Sequence, residues 1–207
     1  LLCLSGLVFE GAFLQATAQA LVRYNPSEAT QDLAIQLLPI SVEVSQGKNA
    51  VLSPLGLAVT FHILAGGANG STEKEFRQLL RIGDLPTSSA LIQFSSYVRG
   101  IDRKEEGITF QSFNGLWVAS DAQPLPSYSD LVRKTFQVQV ESVDFSKPET
   151  TNRINAWFAQ RTQNLIPQMF SAIPDDTKIV LANALYFRGQ WSIPFPMEAT
   201  RTESFHL

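Results

Sequence analysis

A long apolar run near the end of the sequence constrains the fold more than any other stretch. It is TKIVLANALYFRGQW, residues 177–191, in which every residue from Ile179 to Phe187 except Asn183 is apolar. In a strand with one solvent-exposed face, apolar and polar residues alternate. This continuous apolar run therefore predicts a strand that is covered on both faces. Few residues follow it in the 207-residue sequence, which leaves little chain to cover it.

Composition and charge exclude several classes of function. With 44% hydrophobic and 17% charged residues, the chain has the composition of a soluble globular protein. A formal net charge of -3 and the lack of any run of Lys or Arg give no general attraction to nucleic acid or to anionic membranes. Cys3 is the only cysteine, and His62 and His206 are the only histidines. Because thiolate and imidazole metal sites need more of these ligands, we predict neither a metal nor a cofactor.

Residues 1–20 have the features of a signal peptide. They are apolar and end in A-Q-A, a small-x-small pattern that signal peptidase accepts. A buried N-terminal helix is the alternative, whereas the uncharged run before Glu10 is too short to cross a bilayer. The N-G-S sequon that begins at Asn69 agrees with secretion and marks a glycosylation site. We predict a secreted, extracellular glycoprotein.

The first half of the chain is predicted to be mainly helical. Apolar residues at helical spacing cover 27–44, and Pro39 is expected to kink or shorten the last turn of that helix. A short buried strand is predicted over 49–54, followed by a core helix with Pro54 in its first turn. A capping box predicts the next helix start at Thr72.

Strands and helices mix in the second half. Period-two alternation predicts strands over 109–120 and 138–145, and a capping box at Ser146 predicts a helix start. The apolar stripe of that helix consists of Ile154, Trp157, Phe158 and Leu165. Helices first and strands mixed with helices afterwards indicate an α+β fold, because the crossovers are too irregular for a doubly wound sheet.

No catalytic constellation emerges from the sequence. Ser53-Pro54 is not a G-x-S-x-G nucleophile elbow, and His62 lies on an apolar helix, where a packed and hydrogen-bonded core histidine is expected. No Walker loop, G-x-G-x-x-G or H-E-x-x-H motif is present. We therefore predict that the protein is not an enzyme.

One charged turn carries basic residues that could attract a sulfated glycan. Its basic residues are Arg99, Arg103 and Lys104. Glu105 and Glu106 follow at once and cancel most of the positive field, so a solvated turn is expected and glycan binding is not.

Four segments, in this order, resemble the serpin family of protease inhibitors. They are NAVLSPLGLAVTFHILAGGANGSTEKE, FQSFNGLWV, VDFSKPETTNRINAWFAQRTQNLI and LANALYFRGQWSIPFPMEATRTESFHL. The resemblance runs from about residue 28 to 207 and implies that 21–207 form the N-terminal portion of a single serpin domain. It implies helices packed on part of a central mixed β-sheet, with the C-terminal strands and the reactive loop absent.

The resemblance also assigns roles to individual residues. Those matching the shutter, the region where the central sheet parts, are Ser53, Pro54, Gly56 and Asn183, with Gly56 standing where the family usually has a second serine. Gly189 and Trp191 match the breach at the top of the sheet. The helix that lies across the sheet is represented by Ile154, Asn155, Trp157 and Phe158. Ordinary core support remains an alternative to a gating role for the shutter and breach residues.

By resemblance, the parent protein inhibits a serine protease when its cleaved reactive loop inserts beside the strand over 177–191. Without that loop, this chain by itself is not expected to inhibit, and its partners would be the protease and the missing C-terminal half. The alternative is a non-inhibitory serpin that acts as a carrier, storage or binding protein. An incomplete gene model, a short isoform or a cleaved fragment would each explain the length. An unpaired apolar strand edge should make the isolated chain poorly soluble.

Overall fold

The structure is a computed structural model that describes residues 24–204. The predicted signal peptide and the family-like F-H-L segment at residues 205–207 lie outside the described residues. The helices are α1 (Pro26–Ser45), α2 (Pro54–Ala65), α3 (Gly70–Leu79), α4 (Thr87–Ile101), α5 (Pro126–Phe136) and α6 (Pro148–Arg161), with a 3-10 turn at Met197–Ala199. The strands are β1 (Arg103–Glu105), β2 (Ile108–Ala119), β3 (Gln139–Val143) and β4 (Ile179–Gly189). The predicted α+β class is confirmed.

β2 is the centre of a four-stranded mixed sheet. β4 runs antiparallel along one edge of β2, from the pair Ile108 and Gly189 to the pair Val118 and Ile179. On the other edge, β1 pairs antiparallel with the start of β2 and β3 pairs parallel with its end. β1 was not predicted, since its residues read as part of a charged turn. A strand of three residues is too short to show a period, and its pairing depends on the hairpin turn at Gly107, where φ is +80°.

Each face of the sheet packs against its own layer of helices. Leu116 and Val118 belong to a core shared with α1, α2, α4 and α5. Trp117 and Ala119 point the other way, into a core formed with α6. This division confirms the predicted alternation of the strand over 109–120, since adjacent side chains of a strand point to opposite faces.

β4, the strand with the long apolar run, is covered unequally. Ala182, Ala184 and Tyr186 are buried on the α6 face, whereas Leu185 on the α2 face is only half-buried. The side chain of Phe187 near the strand end is 66% exposed. Burial on both faces is therefore correct only for the middle of the strand. The edge of β4 that faces away from β2 pairs with no residue between 24 and 204.

The short strand predicted over 49–54 does not form. Val51 is 95% exposed, and the segment is irregular up to Pro54. The physical reason is that no described strand lies beside it to supply a hydrogen-bonded ladder, and apolar sequence alone does not create one. Ser53 is likewise exposed at the start of α2. The buried position that the predicted strand implies for Ser53 is therefore wrong within the described residues.

Several predicted helix boundaries also differ from the structure. Asn69 precedes α3 as its N-cap, in place of Thr72, because its backbone is extended and its Oδ1 accepts the Gly70 N–H at 2.8 Å. Ser146 is not an N-cap, since its hydroxyl donates to Asp144 Oδ1 at 2.6 Å. Pro39 does not shorten α1, which continues to Ser45. Within residues 24–204, no helix is both long and apolar enough to cross a membrane.

Candidate functional site

A polar cluster joins β4 to β2 in the middle of the sheet. The Asn183 Nδ2 donates to Asn114 Oδ1 at 2.8 Å and lies 3.1 Å from Ser112 Oγ. Asn183 and Asn114 stand directly opposite each other in the β2–β4 register. An amide that bridges two strands in this way stabilises their alignment, because breaking the register would leave polar groups without partners in an apolar sheet.

Asn114 extends the cluster to the helices. Only 6% of Asn114 is exposed, and its Nδ2 donates to the carbonyl of Phe136, at the end of α5, at 3.1 Å. Asn114 lies within the strand predicted over 109–120, and no functional role was predicted for it. A polar residue inside an apolar strand was the available signal, but its pairing with Asn183 depends on a register between segments far apart in sequence.

Gly56 allows α2 to approach this cluster closely. The Ser53 Oγ accepts the Gly56 N–H at 3.2 Å, and Pro54 occupies the first turn of the same helix. A Cβ atom added to Gly56 would lie 2.5 Å from the Asn183 Oδ1 and 3.3 Å from the Ser53 Oγ. The structure thus brings the four predicted shutter residues together, with a glycine where a side chain would displace the Asn183 amide.

We expect the substitution Asn183→Ala to lower the free energy of unfolding by about 2 kcal/mol, because it leaves the Asn114 Oδ1 without its donor. Urea denaturation followed by circular dichroism measures the effect. Asn152→Ala, at an exposed position of α6, is the matched control and should change stability by less than about 0.5 kcal/mol. If Asn183→Ala and Asn114→Ala have strictly additive effects, the two amides do not cooperate and the bridge is not a unit.

Helix α6 lies across the sheet and packs on it through aromatic side chains. Ile154 and Phe158 are 0% and 1% exposed, and the Trp157 ring meets the Trp117 ring edge to face at 5.3 Å between centroids. The Trp157 Nε1 donates to Gln139 Oε1 of β3 at 3.1 Å. These three predicted residues form the buried face of the helix, and packing, this hydrogen bond and an ion pair at 3.0 Å between Arg153 and Glu141 of β3 hold α6 against the sheet.

Polar contacts fasten the chain that follows α6. The Asn155 Nδ2 donates to the Phe170 carbonyl at 2.7 Å, and its Oδ1 accepts the Phe170 N–H at 2.9 Å. The Tyr186 hydroxyl on β4 donates to Gln163 Oε1 at 2.9 Å. Leu165, predicted to continue the apolar stripe, lies beyond the helix end and is 72% exposed.

The predicted breach residues lie apart from the polar cluster. Gly189 is the last residue of β4 and pairs with Ile108. It is roughly 20 Å along the strand from Asn183, at about 3.3 Å per residue. Trp191 is 71% exposed, and its ring lies edge to face with the Phe195 ring at 5.4 Å between centroids. The residues predicted for the shutter and those predicted for the breach therefore lie in separate places, with Asn183 in the middle of β4 and Trp191 beyond its end.

His62 is a core residue, as predicted. Its side chain is fully buried and stacks on the Phe94 ring at 3.8 Å between centroids. The Nδ1 N–H donates to the Ala58 carbonyl at 2.7 Å, so the Nε2 accepts from the Tyr24 hydroxyl at 2.6 Å. Burial lowers the His62 pKa to about 4. With both nitrogens occupied, this imidazole has no free position for a substrate.

Comparison with known proteins assigns this layered α+β arrangement to a family. The family model described as Serpin (serine protease inhibitor) matches residues 28–207. The chain is 32% identical over 182 residues to a "Serine protease inhibitor" of Cyanea capillata, a match that covers 86% of this chain and 48% of that protein. The chain belongs to the serpin family. It spans about half the length of the curated relatives it matches.

Solved structures agree with this assignment. An Arabidopsis serpin in a native stressed conformation superposes with a TM-score of 0.79 at 25% identity, covering 88% of this chain and 49% of that one. A reactive-loop-cleaved human thyroxine-binding globulin gives a TM-score of 0.79 at 24% identity, covering 87% of this chain and 54% of that one. The second likeness shows the fold alone.

Proposed function

We propose that residues 21–207 are the N-terminal portion of a secreted serpin domain whose complete form inhibits a serine protease, and that residues 1–20 are its signal peptide. The observation that carries the proposal is the open edge of β4. Along that edge no residue between 24 and 204 is paired, and loop insertion beside this strand is what the family resemblance implies. The similarity to a protein named as a serine protease inhibitor supports the same activity.

The polar cluster fits a gate beneath the insertion edge. We assign Ser53, Pro54, Gly56 and Asn183 to this gate, because Asn183 is the residue through which α2, β2 and β4 meet. Opening the sheet would change the distances that these contacts depend on. We assign Gly189 and Trp191 to the entry end of the same edge, where Trp191 is exposed.

Inhibition is tested with the complete coding sequence. We expect the full-length protein to form an SDS-stable complex with at least one of trypsin, chymotrypsin and elastase, because an acyl-linked protease survives denaturation. A chain limited to residues 1–207, in which the family resemblance leaves no reactive loop, is the control and should form none. Cleavage of the full-length protein by all three proteases without any complex would contradict the inhibitory function.

A non-inhibitory carrier or binding function is the second candidate. The observation in its favour is the fold shared with thyroxine-binding globulin, whose name identifies a binding protein. The hinge of the reactive loop separates the two candidates, since bulky or charged residues there hinder strand insertion. A full-length protein that is cut by proteases without forming a complex and without gaining thermal stability would support the carrier.

We expect Asn69 to carry an N-linked glycan when the chain passes through a eukaryotic secretory pathway. Asn69 is exposed, and its helix cap uses Oδ1, which leaves the Nδ2 free for the glycan. Treatment with an N-glycosidase should therefore increase electrophoretic mobility. Ser71→Ala should abolish this change while the cap remains, whereas Asn69→Ala should also cost about 1 kcal/mol of stability. An unchanged mobility of the wild-type chain would contradict the site.

A further inference from the structure

Two asparagines in the sequence are followed directly by glycine, at Asn69-Gly70 and at Asn114-Gly115. Every other Asn is followed by a residue with a side chain. Glycine has no Cβ to hinder a close approach, so its main-chain nitrogen can attack the side-chain amide of the Asn before it. Whether this happens in a folded chain depends on how freely both residues move. The structure holds the two pairs very differently.

The Asn69-Gly70 pair is held by one exposed contact. Both residues are exposed, and a Cβ atom added to Gly70 would meet no atom within 4 Å. The Gly70 N–H donates to the Asn69 Oδ1 at 2.8 Å and to no main-chain carbonyl within residues 24–204. Because a C–O bond is about 1.2 Å long, the Asn69 Cγ lies within about 4 Å of the Gly70 nitrogen. Turning the amide so that Cγ faces this nitrogen breaks that single hydrogen bond.

The Asn114-Gly115 pair is fixed inside the sheet. Only 6% of Asn114 is exposed, and both ends of its amide are hydrogen-bonded, Oδ1 to Asn183 and Nδ2 to the Phe136 carbonyl. Gly115 lies in β2 where this strand pairs with both β3 and β4. A Cβ atom added to Gly115 would lie 2.4 Å from the Trp117 ring. Attack at Asn114 therefore requires β2 to separate from its neighbours.

We propose that Asn69 is a deamidation site of the folded protein and that Asn114 is protected from the same reaction. The Gly70 nitrogen loses its proton and bonds to the Asn69 Cγ, and the Cγ–Nδ2 bond breaks, releasing ammonia and leaving a succinimide. Water then opens this ring. Breaking the bond from the Gly70 nitrogen to Cγ gives aspartate, and breaking the bond to the Asn69 main-chain carbonyl gives isoaspartate. The net reaction consumes one water and releases one ammonia.

The two products differ at the start of α3. Aspartate keeps an oxygen that can accept the N–H groups of the helix and adds a negative charge, which a helix N-terminus favours. Isoaspartate carries the main chain through Cγ, so the chain gains a methylene group and loses the capping side chain. The released ammonia contains the Nδ2 that would carry a glycan. Deamidation and N-glycosylation of Asn69 therefore exclude each other; this exclusion rests on the glycosylation proposed above, whereas the deamidation does not.

The test uses the protein made from the complete coding sequence in bacteria, where Asn69 carries no glycan. It is kept in mildly alkaline buffer, with and without urea, and both asparagines are followed over time by peptide mapping with tandem mass spectrometry. In the folded protein we expect conversion at Asn69 to be at least about tenfold faster than at Asn114. In urea the two rates should be similar, because unfolding removes the contacts that protect Asn114.

Two variants test the structural reason. Asn183→Ala removes the donor to the Asn114 Oδ1 and should speed conversion at Asn114 without changing the rate at Asn69. Asn69→Ser keeps a capping oxygen but has no amide. After incubation it should accept fewer methyl groups than wild type from a protein isoaspartate methyltransferase. Circular dichroism checks that both variants keep the wild-type helix content.

Three results would overturn the proposal. They are equal rates at Asn69 and Asn114 in the folded protein, conversion of Asn69 only in urea, and equal methyl acceptance by incubated wild type and Asn69→Ser. Neither a protease nor a glycan enters the measurement, so failure of the proposed inhibitory function or of the proposed glycosylation leaves this test unaffected.

Discussion

Trp157→Ala is expected to lower the free energy of unfolding by about 4 kcal/mol, within the range for removing a large buried aromatic side chain. Only 7% of Trp157 is exposed, and its ring contacts the rings of Trp117 and Phe158 edge to face at 5.3 and 5.1 Å. The substitution also removes the hydrogen bond to Gln139. Equilibrium unfolding in urea gives the magnitude.

The conservative variant separates packing from hydrogen bonding at this position. Trp157→Phe keeps an aromatic ring but loses the Nε1 donor, so we expect a loss of about 1 kcal/mol from the hydrogen bond, in addition to the cost of the smaller ring. If Trp157→Ala lowers the free energy of unfolding no more than the exposed-site control Asn152→Ala, the packing of Trp157 on the Trp117 and Phe158 rings does not hold α6 on the sheet. In a full-length inhibitor, a loosened α6 should also speed strand insertion, since this helix lies across the sheet.

Acidification is expected to destabilise the fold by about 3 kcal/mol through His62 alone. Burial lowers the His62 pKa in the folded protein to about 4, against 6.5 for an exposed histidine. The unfolded chain therefore binds a proton below pH 6.5 that the folded chain does not bind until about pH 4. Above pH 6.5, His62 should not affect the free energy of unfolding. As the pH is lowered from 6.5 to about 4, the free energy of unfolding should fall, and below about pH 4 the whole loss of about 3 kcal/mol should be present.

The measurement is urea denaturation at several pH values, compared between wild type and His62→Gln. The variant is expected to be less stable at neutral pH, because the Tyr24 hydroxyl and the Phe94 ring lose their partner, but its stability should depend less on pH by about 3 kcal/mol. Asn152→Ala, at an exposed position of α6 without a titratable group, provides the control and should keep the wild-type pH dependence. If the free energy of unfolding depends on pH in the same way for wild type and His62→Gln, the pKa of His62 does not differ between the folded and unfolded chains.

Much of the fold could be predicted from local patterns. The apolar helix after Pro54 and the alternating strand over 109–120 were recognised because their periods repeat within a few residues. The strand predicted over 49–54 was wrong, because an apolar run forms a strand only where a partner strand is present. β1 was missed for the opposite reason: its pairing with β2 makes it a strand, although three charged residues show no strand pattern.

The sequence by itself determined the α+β class, the buried face of α6, the core position of His62 and the resemblance to serpins. The buried face of α6 and the position of His62 depend on residue type and spacing within one segment, and the class and the resemblance depend on the order of such segments along the chain. Only the tertiary structure decided that Asn183 meets Asn114, that Gly56 leaves room for the Asn183 amide and that β3 and β4 each have an open edge. The physical reason is that strand register and helix docking join segments far apart in sequence, and no local pattern encodes which of them will meet.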